Sequence, residues 1–203
     1  MRFKLAAAQA ALLPSLSLVL TLAMLSTVPA LAHVTPNVEL LKKGDFVQQS
    51  LPGASQYLEK KLAIGGSDLA AIKKGTGWTP SEEDVRIYVG RDRQGALIGT
   101  VVFLWIPSEH GPVGVGVAFD PAGAILRAEV TDVGSEPLAW VRPLLASNGM
   151  SAFAGLPLAT PPDSAKLSPA ATGRMSRYYA EVIADGVKRA QAIERVARET
   201  DRR

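Results

Sequence analysis

The sequence predicts an α+β domain: an antiparallel β-meander of about four strands packed against helices, with a long C-terminal helix. Two observations carry this. Between Val85 and Thr131 apolar residues recur with a period near two and are broken by short turns, whereas Arg174 to Thr200 carries one apolar stripe at helical spacing. The order is helices, sheet, helices, which leaves one sheet face to be covered by helix.

Residues 37–75 read as helical and polar-faced. Val38, Leu40, Leu41, Phe46 and Val47 lead to a stop at Leu51-Pro52-Gly53, and Tyr57, Leu58, Leu62 and Ile64 run to Gly65-Gly66. Ser67-Asp68 is placed to cap a short helix, Leu69 to Lys74, ended by Gly75. Thr76 to Asp84 is a loop containing Trp78 and Pro80.

Val85, Ile87 and Val89 alternate with Arg86 and Tyr88 as the first strand. A turn at Arg91 to Gly95 precedes Leu97 to Ile106, a nearly continuous apolar run. After a turn at Pro107 to Pro112, Val113, Val115 and Val117 alternate with Gly114, Gly116 and Ala118. These glycines bare one strand face, so a helix, another backbone or a flat ligand is expected close against it. Asp120-Pro121-Ala122-Gly123 turns the chain into the strand of Leu126, Ala128 and Val130.

Leu138 to Asn148 is expected as a helix ended by Gly149, and Leu156 to Ala171, rich in Pro, Ala and Ser, as a loop. In the last helix Met175, Tyr179, Val182, Ile183, Val187, Ala190 and Ile193 share one stripe. Its charged end, from about Arg198 to Arg203, is expected to fray. Tyr178 and Tyr179 point one ring outward and one inward. Lys42-Lys43, Lys60-Lys61 and Lys73-Lys74 read as solvated helix faces, Trp78 and Trp105 as core or surface-patch residues, and Trp140 as a packing residue.

Met1-Arg2-Phe3-Lys4, the uncharged run from Leu5 to Ala32 and the small-x-small Ala30-Leu31-Ala32 have the pattern of a secretory signal peptide cut before His33. On this reading residues 33–203 are one exported domain, periplasmic or secreted. Arg2 and Lys4 are the only charges in the leader, so the net charge of +3 falls to +1 after cleavage, which is no footprint for nucleic acid. The chain has no cysteine and two histidines, His33 and His110, which excludes disulfides, thiol nucleophiles and histidine-rich metal cages. A new N-terminal His33 paired with His110 is one arrangement that holds copper. The other reading is a His beside the cut and a His in a surface turn.

In order along the chain, Leu51-Pro52-Gly53-Ala54, the Tyr-bearing strand Val85 to Val89, Ile98-Gly99-Thr100-Val101, Asp120-Pro121-Ala122-Gly123, Val133-Gly134-Ser135-Glu136-Pro137-Leu138 and Ala170-Ala171-Thr172-Gly173 form a pattern. It resembles the FMN-binding domain family, which includes the C subunit of the sodium-pumping NADH:quinone reductase, the G subunit of the Rnf complex and small secreted proteins. The resemblance covers roughly Val34 to Ala192. It implies an exported flavoprotein: an electron carrier or electron-accepting module rather than an enzyme with its own acid and base. The implied partners are a membrane-bound reductase or other redox protein and a secreted flavin transferase.

By the same resemblance, Glu136, Pro137 and Leu138 lie against the flavin ring. Read by itself, Glu136 is placed first to cap the helix that starts at Leu138, and only the resemblance sets the flavin reading beside it. Covalent members carry FMN as a phosphoester on the last threonine of Ser/Thr-Gly-Ala-Thr. Here one register puts Ala171-Thr172 on the Ala-Thr pair. The other starts at Thr172-Gly173 and brings Arg174 and Met175 to the last two positions, where methionine cannot be esterified. Noncovalent FMN, with Thr172, Arg174 and Ser176 around the phosphate, is the counterpart of the ester. The alternative in a different class is a noncatalytic periplasmic accessory or binding protein that keeps the fold and has lost the flavin.

Overall fold

The computed structural model describes residues 36–81, 86–146 and 148–201. The leader, the expected cut before His33 and Val85 lie outside the described residues. The class is α+β. Six strands, β1 (Asn37–Glu39), β2 (Gln56–Lys61), β3 (Arg86–Arg91), β4 (Leu97–Ile106), β5 (Val113–Phe119) and β6 (Ile125–Gly134), form one sheet in the order β1-β6-β5-β4-β3-β2. Every neighbouring pair is antiparallel. The four helices are α1 (Lys43–Ser50), α2 (Gly66–Thr76), α3 (Leu138–Ala146) and α4 (Arg174–Asp201).

The four central strands are those the period of two predicts. The two added strands correct the helical reading of residues 37–75. Val38 lies in β1, paired with Val133 of β6. Tyr57 and Leu58 lie in β2, which pairs with β3 from Gln56↔Arg91 to Lys61↔Arg86. The physical reason is that β3 would otherwise present a row of unpaired N–H and C=O groups, and a strand satisfies them where an isolated helical turn does not. Lys60 and Lys61 therefore stand on a sheet edge, where charge opposes pairing with another chain.

Helix boundaries need three further corrections. Helix α2 runs through Gly75 and ends at Gly77, whose φ of 73° is the left-handed cap conformation. At its start Asp68 Oδ2 accepts from the Gly65 N–H at 3.3 Å, which is the role given to Ser67-Asp68. Helix α3 stops at Ala146, and Gly149 instead opens a 3₁₀ turn, Gly149–Phe153. The loop from Leu156 to Ala171 contains two more 3₁₀ turns, Ser164–Lys166 and Ser168–Ala170.

One sheet face packs on α4. Tyr179, Ile183, Val187 and Ile193 join Val102, Leu104, Val113, Val115 and Val117 in one buried cluster. Full burial of such side chains is worth about 1.5–3 kcal/mol each. Gly186 lets α4 approach the sheet, since a Cβ there would lie 3.0 Å from both Ile106 and Val115. The other face carries a smaller cluster in which Phe46, Val47 and Leu51 cover Val101 and Ala118. Here the bared strand face finds its neighbour. A Cβ on Gly116 would lie 2.9 Å from Phe103 Cε1 and 3.1 Å from Phe46 Cε1. A helix, not a flat ligand, fills the space that the glycine leaves.

The turn at Asp120 forms as expected. Its Oδ1 accepts from the N–H groups of Ala122 and Ala124, both at 2.8 Å, and Gly123 takes a φ of 92°. The end of α4 does not fray at Arg198. That guanidinium donates to Glu194 Oε1 and to the carbonyls of Asp120 and Pro121, tying the helix to this turn.

Candidate functional site

The richest cluster of polar and aromatic groups lies where the β4–β5 loop, the exit of β6, the start of α3 and the first turns of α4 meet. His110 Nδ1 and Glu136 Oε1 are 2.8 Å apart. The His110 and Trp140 rings meet edge to face, with centroids 5.0 Å apart and planes at 62°. Trp140 stacks on Tyr179 at 5.8 Å and 16°, and Tyr179 meets Tyr178 edge-on at 5.1 Å. Ser108 Oγ lies 3.0 Å from the Tyr179 hydroxyl and also donates to the Gly111 carbonyl.

Tyr179 is fully buried, and burial is the main reason its phenol titrates above the ordinary tyrosine value. The neighbouring Tyr178 and the Glu136 carboxylate push in the same direction, while the Ser108 hydroxyl and the His110 backbone oppose them. The inward and outward placement of Tyr179 and Tyr178 is as the sequence predicts: Tyr178 is half-buried. Trp140 packs, as read, and its partner is this tyrosine.

Each residue that the resemblance assigned to the flavin has a definite place. Glu136 is exposed in the turn after β6 and pairs with His110 through Oε1. Pro137 is buried, and its carbonyl accepts the first helical bonds of α3, from the N–H groups of Trp140 and Val141. Leu138 and Ala171 are half-buried against the main core. Thr172 and Arg174 are exposed. The Gly173 carbonyl accepts from the Arg177 N–H at 3.1 Å, so the N–H groups of Arg174, Met175 and Ser176 precede the first helical bond. The Ser176 side chain is only 3% exposed. The Trp140–Tyr179 stack brings the two groups together: Trp140 follows Glu136–Leu138 on α3, and Tyr179 follows Thr172–Ser176 on α4.

These residues fit an FMN in their donor chemistry. Free helical N–H groups, a hydroxyl and a guanidinium suit a phosphate, and the half-buried Leu138 and Trp140 offer apolar surface to a ring, whereas Pro137 and Tyr179 are buried beneath them. Two clefts among the described residues lie elsewhere. One, of about 180 Å³, lies between α2 and α4 at Ile72, Thr76 and Gln191. The other, of about 510 Å³, lies at Ser50, Ile98, Pro121 and Arg127.

His110 is the residue that sequence reasoning placed in a plain surface turn. Its link to Glu136 is a matter of register. The β5–β6 ladder pairs Phe119 with Ile125 near the turn, but two irregularities shift it, so that Val113 faces Val133. Without them the extended register would set His110 opposite Gly134 instead of Glu136. The copper arrangement needs His33, which lies outside the described residues. Among the described residues no group of three or more His, Cys, Asp or Glu is placed to hold a metal ion. No protein-family model, curated protein or solved structure matches the chain.

Proposed function

We propose that this chain is an exported FMN-binding protein that accepts and passes on electrons. The observation that carries the reading is the stack of Trp140 on Tyr179, which unites two segments read from the sequence as ring contact and phosphate contact. Bound FMN would supply the one- and two-electron chemistry. Thr172, Arg174 and the free N–H groups opening α4 hold the phosphate, with the buried Ser176 hydroxyl beside them. Leu138 and Trp140 shield one face of the ring, and the Glu136 backbone is available to its polar edge. The partners that this reading implies are a membrane-bound reductase and, for an ester on Thr172, a secreted flavin transferase.

The test is the intact mass and visible spectrum of the full chain, expressed for export in cells with and without a flavin transferase. Yellow colour lost on denaturation is expected for noncovalent FMN, and added mass that survives denaturation for an ester. A colourless chain that also fails to bind added FMN overturns the reading. It would favour the accessory-protein alternative, to which Met175 at one ester register already points.

A further inference from the structure

The cleft of about 180 Å³ between α2 and α4 combines an apolar floor with a fixed polar group. Ile72 of α2 and Val196 of α4 line it and are buried. Its polar side chains lie mostly along one stripe of α4: Lys188, Gln191, Arg195 and Glu199.

Gln191 is only 3% exposed, and glutamine is mostly a surface residue. Its Nε2 donates to the carbonyls of Pro157 and Thr160, at 3.2 and 3.0 Å. Both partners only accept, so the amide takes one orientation and Oε1 is its remaining pole. That oxygen has no donor among the described residues. The fully buried side-chain polar atoms without a partner there are Ser50 Oγ and Arg189 Nε, so Oε1 keeps access to the cleft that Gln191 lines.

Two cations flank this acceptor. Along the helix axis Lys188 is about 4.5 Å to one side and Arg195 about 6 Å to the other. Arg195 Nη2 donates to the Leu158 carbonyl at 3.1 Å, which holds the guanidinium beside the cleft and leaves its other N–H groups for a ligand. Lys188 is half-buried and has no ion pair among the described residues. Against these two cations stands one lining carboxylate, Glu199, so the lining carries one net positive charge.

We propose that this cleft binds a small α-hydroxy carboxylate with a short apolar tail. The carboxylate accepts from Arg195 and Lys188, the hydroxyl donates to Gln191 Oε1, and the tail rests on Ile72 and Val196. An anion matches the net positive lining, and a hydroxyl, unlike an ammonium, sets no like charge beside the two cations. The cleft shares no residue with the flavin reading, so either can fail alone.

The test titrates the ¹⁵N-labelled full chain with 2-hydroxy-4-methylpentanoate and follows the amide signals of Gly75, Gln191 and Arg195, with the side-chain amide of Gln191. Saturable shifts centred on these residues are expected. 4-Methylpentanoate, which lacks the hydroxyl, should bind roughly tenfold more weakly. L-Leucine, with an ammonium in its place, should also bind more weakly. Arg195→Gln changes an exposed residue and should weaken binding roughly 10- to 100-fold. Gly75→Leu is the blocking variant: Gly75 lines the cleft, a Cβ there meets nothing within 4 Å, and leucine favours a helix. It should fold as the native chain does and lose binding.

Absence of saturable shifts with the hydroxy acid overturns the proposal. Equal binding of 4-methylpentanoate, or tighter binding of L-leucine, overturns it as well, because the hydroxyl is then not what Gln191 selects. Binding that survives Gly75→Leu does the same, since the ligand then lies elsewhere.

Discussion

Thr100 on β4 and Glu194 on α4, 94 positions apart in the chain, meet in the core: Thr100 Oγ1 donates to Glu194 Oε2 at 2.7 Å. Glu194 is fully buried, and its other oxygen accepts from Arg198 Nε at 2.7 Å. Arg198 in turn donates through Nη1 and Nη2 to the carbonyls of Pro121 and Asp120. One carboxylate thus joins the sheet, the long helix and the β5–β6 turn. Removing one member of a buried charged pair leaves the other uncompensated, at about 3–5 kcal/mol. Glu194→Ala should lower the free energy of urea unfolding by about that much, and Thr100→Val by about 1–3 kcal/mol, since it removes one bond and leaves the ion pair. A Glu194→Ala change below about 1 kcal/mol would show that the network does not hold the helix end.

This network marks the limit of what the sequence discloses. The strands β3 to β6, the turn at Asp120 and the apolar stripe of α4 are legible because each depends on residues close in the chain. The pairings of Glu194 with Thr100 and of His110 with Glu136 depend on helix-to-sheet placement and on ladder irregularities, and no local pattern encodes either. The misreading of Gln56–Lys61 has the same root. That segment is a strand because β3 lies beside it, and its own apolar residues, Tyr57 and Leu58, stay exposed. At the candidate site, Glu136 and the Thr172–Ser176 segment are recognisable as motifs, whereas His110, Ser108 and Tyr179 join them only once the chain is folded.

Helix α2 gives a contrast between two glycines. Gly75 lies within the helix, and a Cβ there meets nothing within 4 Å. Gly77 caps it with a φ of 73°. Gly75→Ala should stabilise the chain by about 0.4–1 kcal/mol through reduced freedom of the unfolded state. Gly77→Ala should destabilise it by about 1 kcal/mol, because the left-handed conformation is strained for a residue with a Cβ. Paired thermal melts check both signs. The reverse order would restore Gly75 as the helix end.

Tyr179 predicts an alkaline limit to stability. Its phenol titrates above the ordinary value of about 10, chiefly because it is buried. A folded-state value above the unfolded one means that the unfolded chain releases this proton first. The contribution is therefore complete below about pH 10 and is lost as pH rises through the folded value. Tyr88 on β3 is shifted in the same direction, again mainly by burial, with Glu59 adding to it. Tyr179→Phe should flatten the fall in unfolding free energy above about pH 10 compared with the native chain. Absorbance at the phenolate band should show one late-titrating tyrosine fewer. An unchanged alkaline slope would mean that another group sets it.

The phosphate end of the site separates binding from folding. Arg174 and Thr172 are exposed, and neither side chain supports the core. Removing the guanidinium from a phosphate takes away a charge-assisted bond worth about 1.5–3 kcal/mol, which is roughly 10- to 100-fold in Kd. Arg174→Ala should weaken FMN binding by that factor, and more visibly at low ionic strength, where an exposed charge is less screened. Thr172→Ala should cost roughly tenfold or less and should abolish any covalently retained flavin. Leu58→Ser, on the exposed edge strand and 51% exposed in the native chain, serves as the control with unchanged Kd. Flavin fluorescence titration measures all three variants, and thermal melts of the unloaded chains should agree within the ±0.5 kcal/mol expected of surface changes. If Arg174→Ala and the control bind FMN alike, the phosphate does not sit at the start of α4.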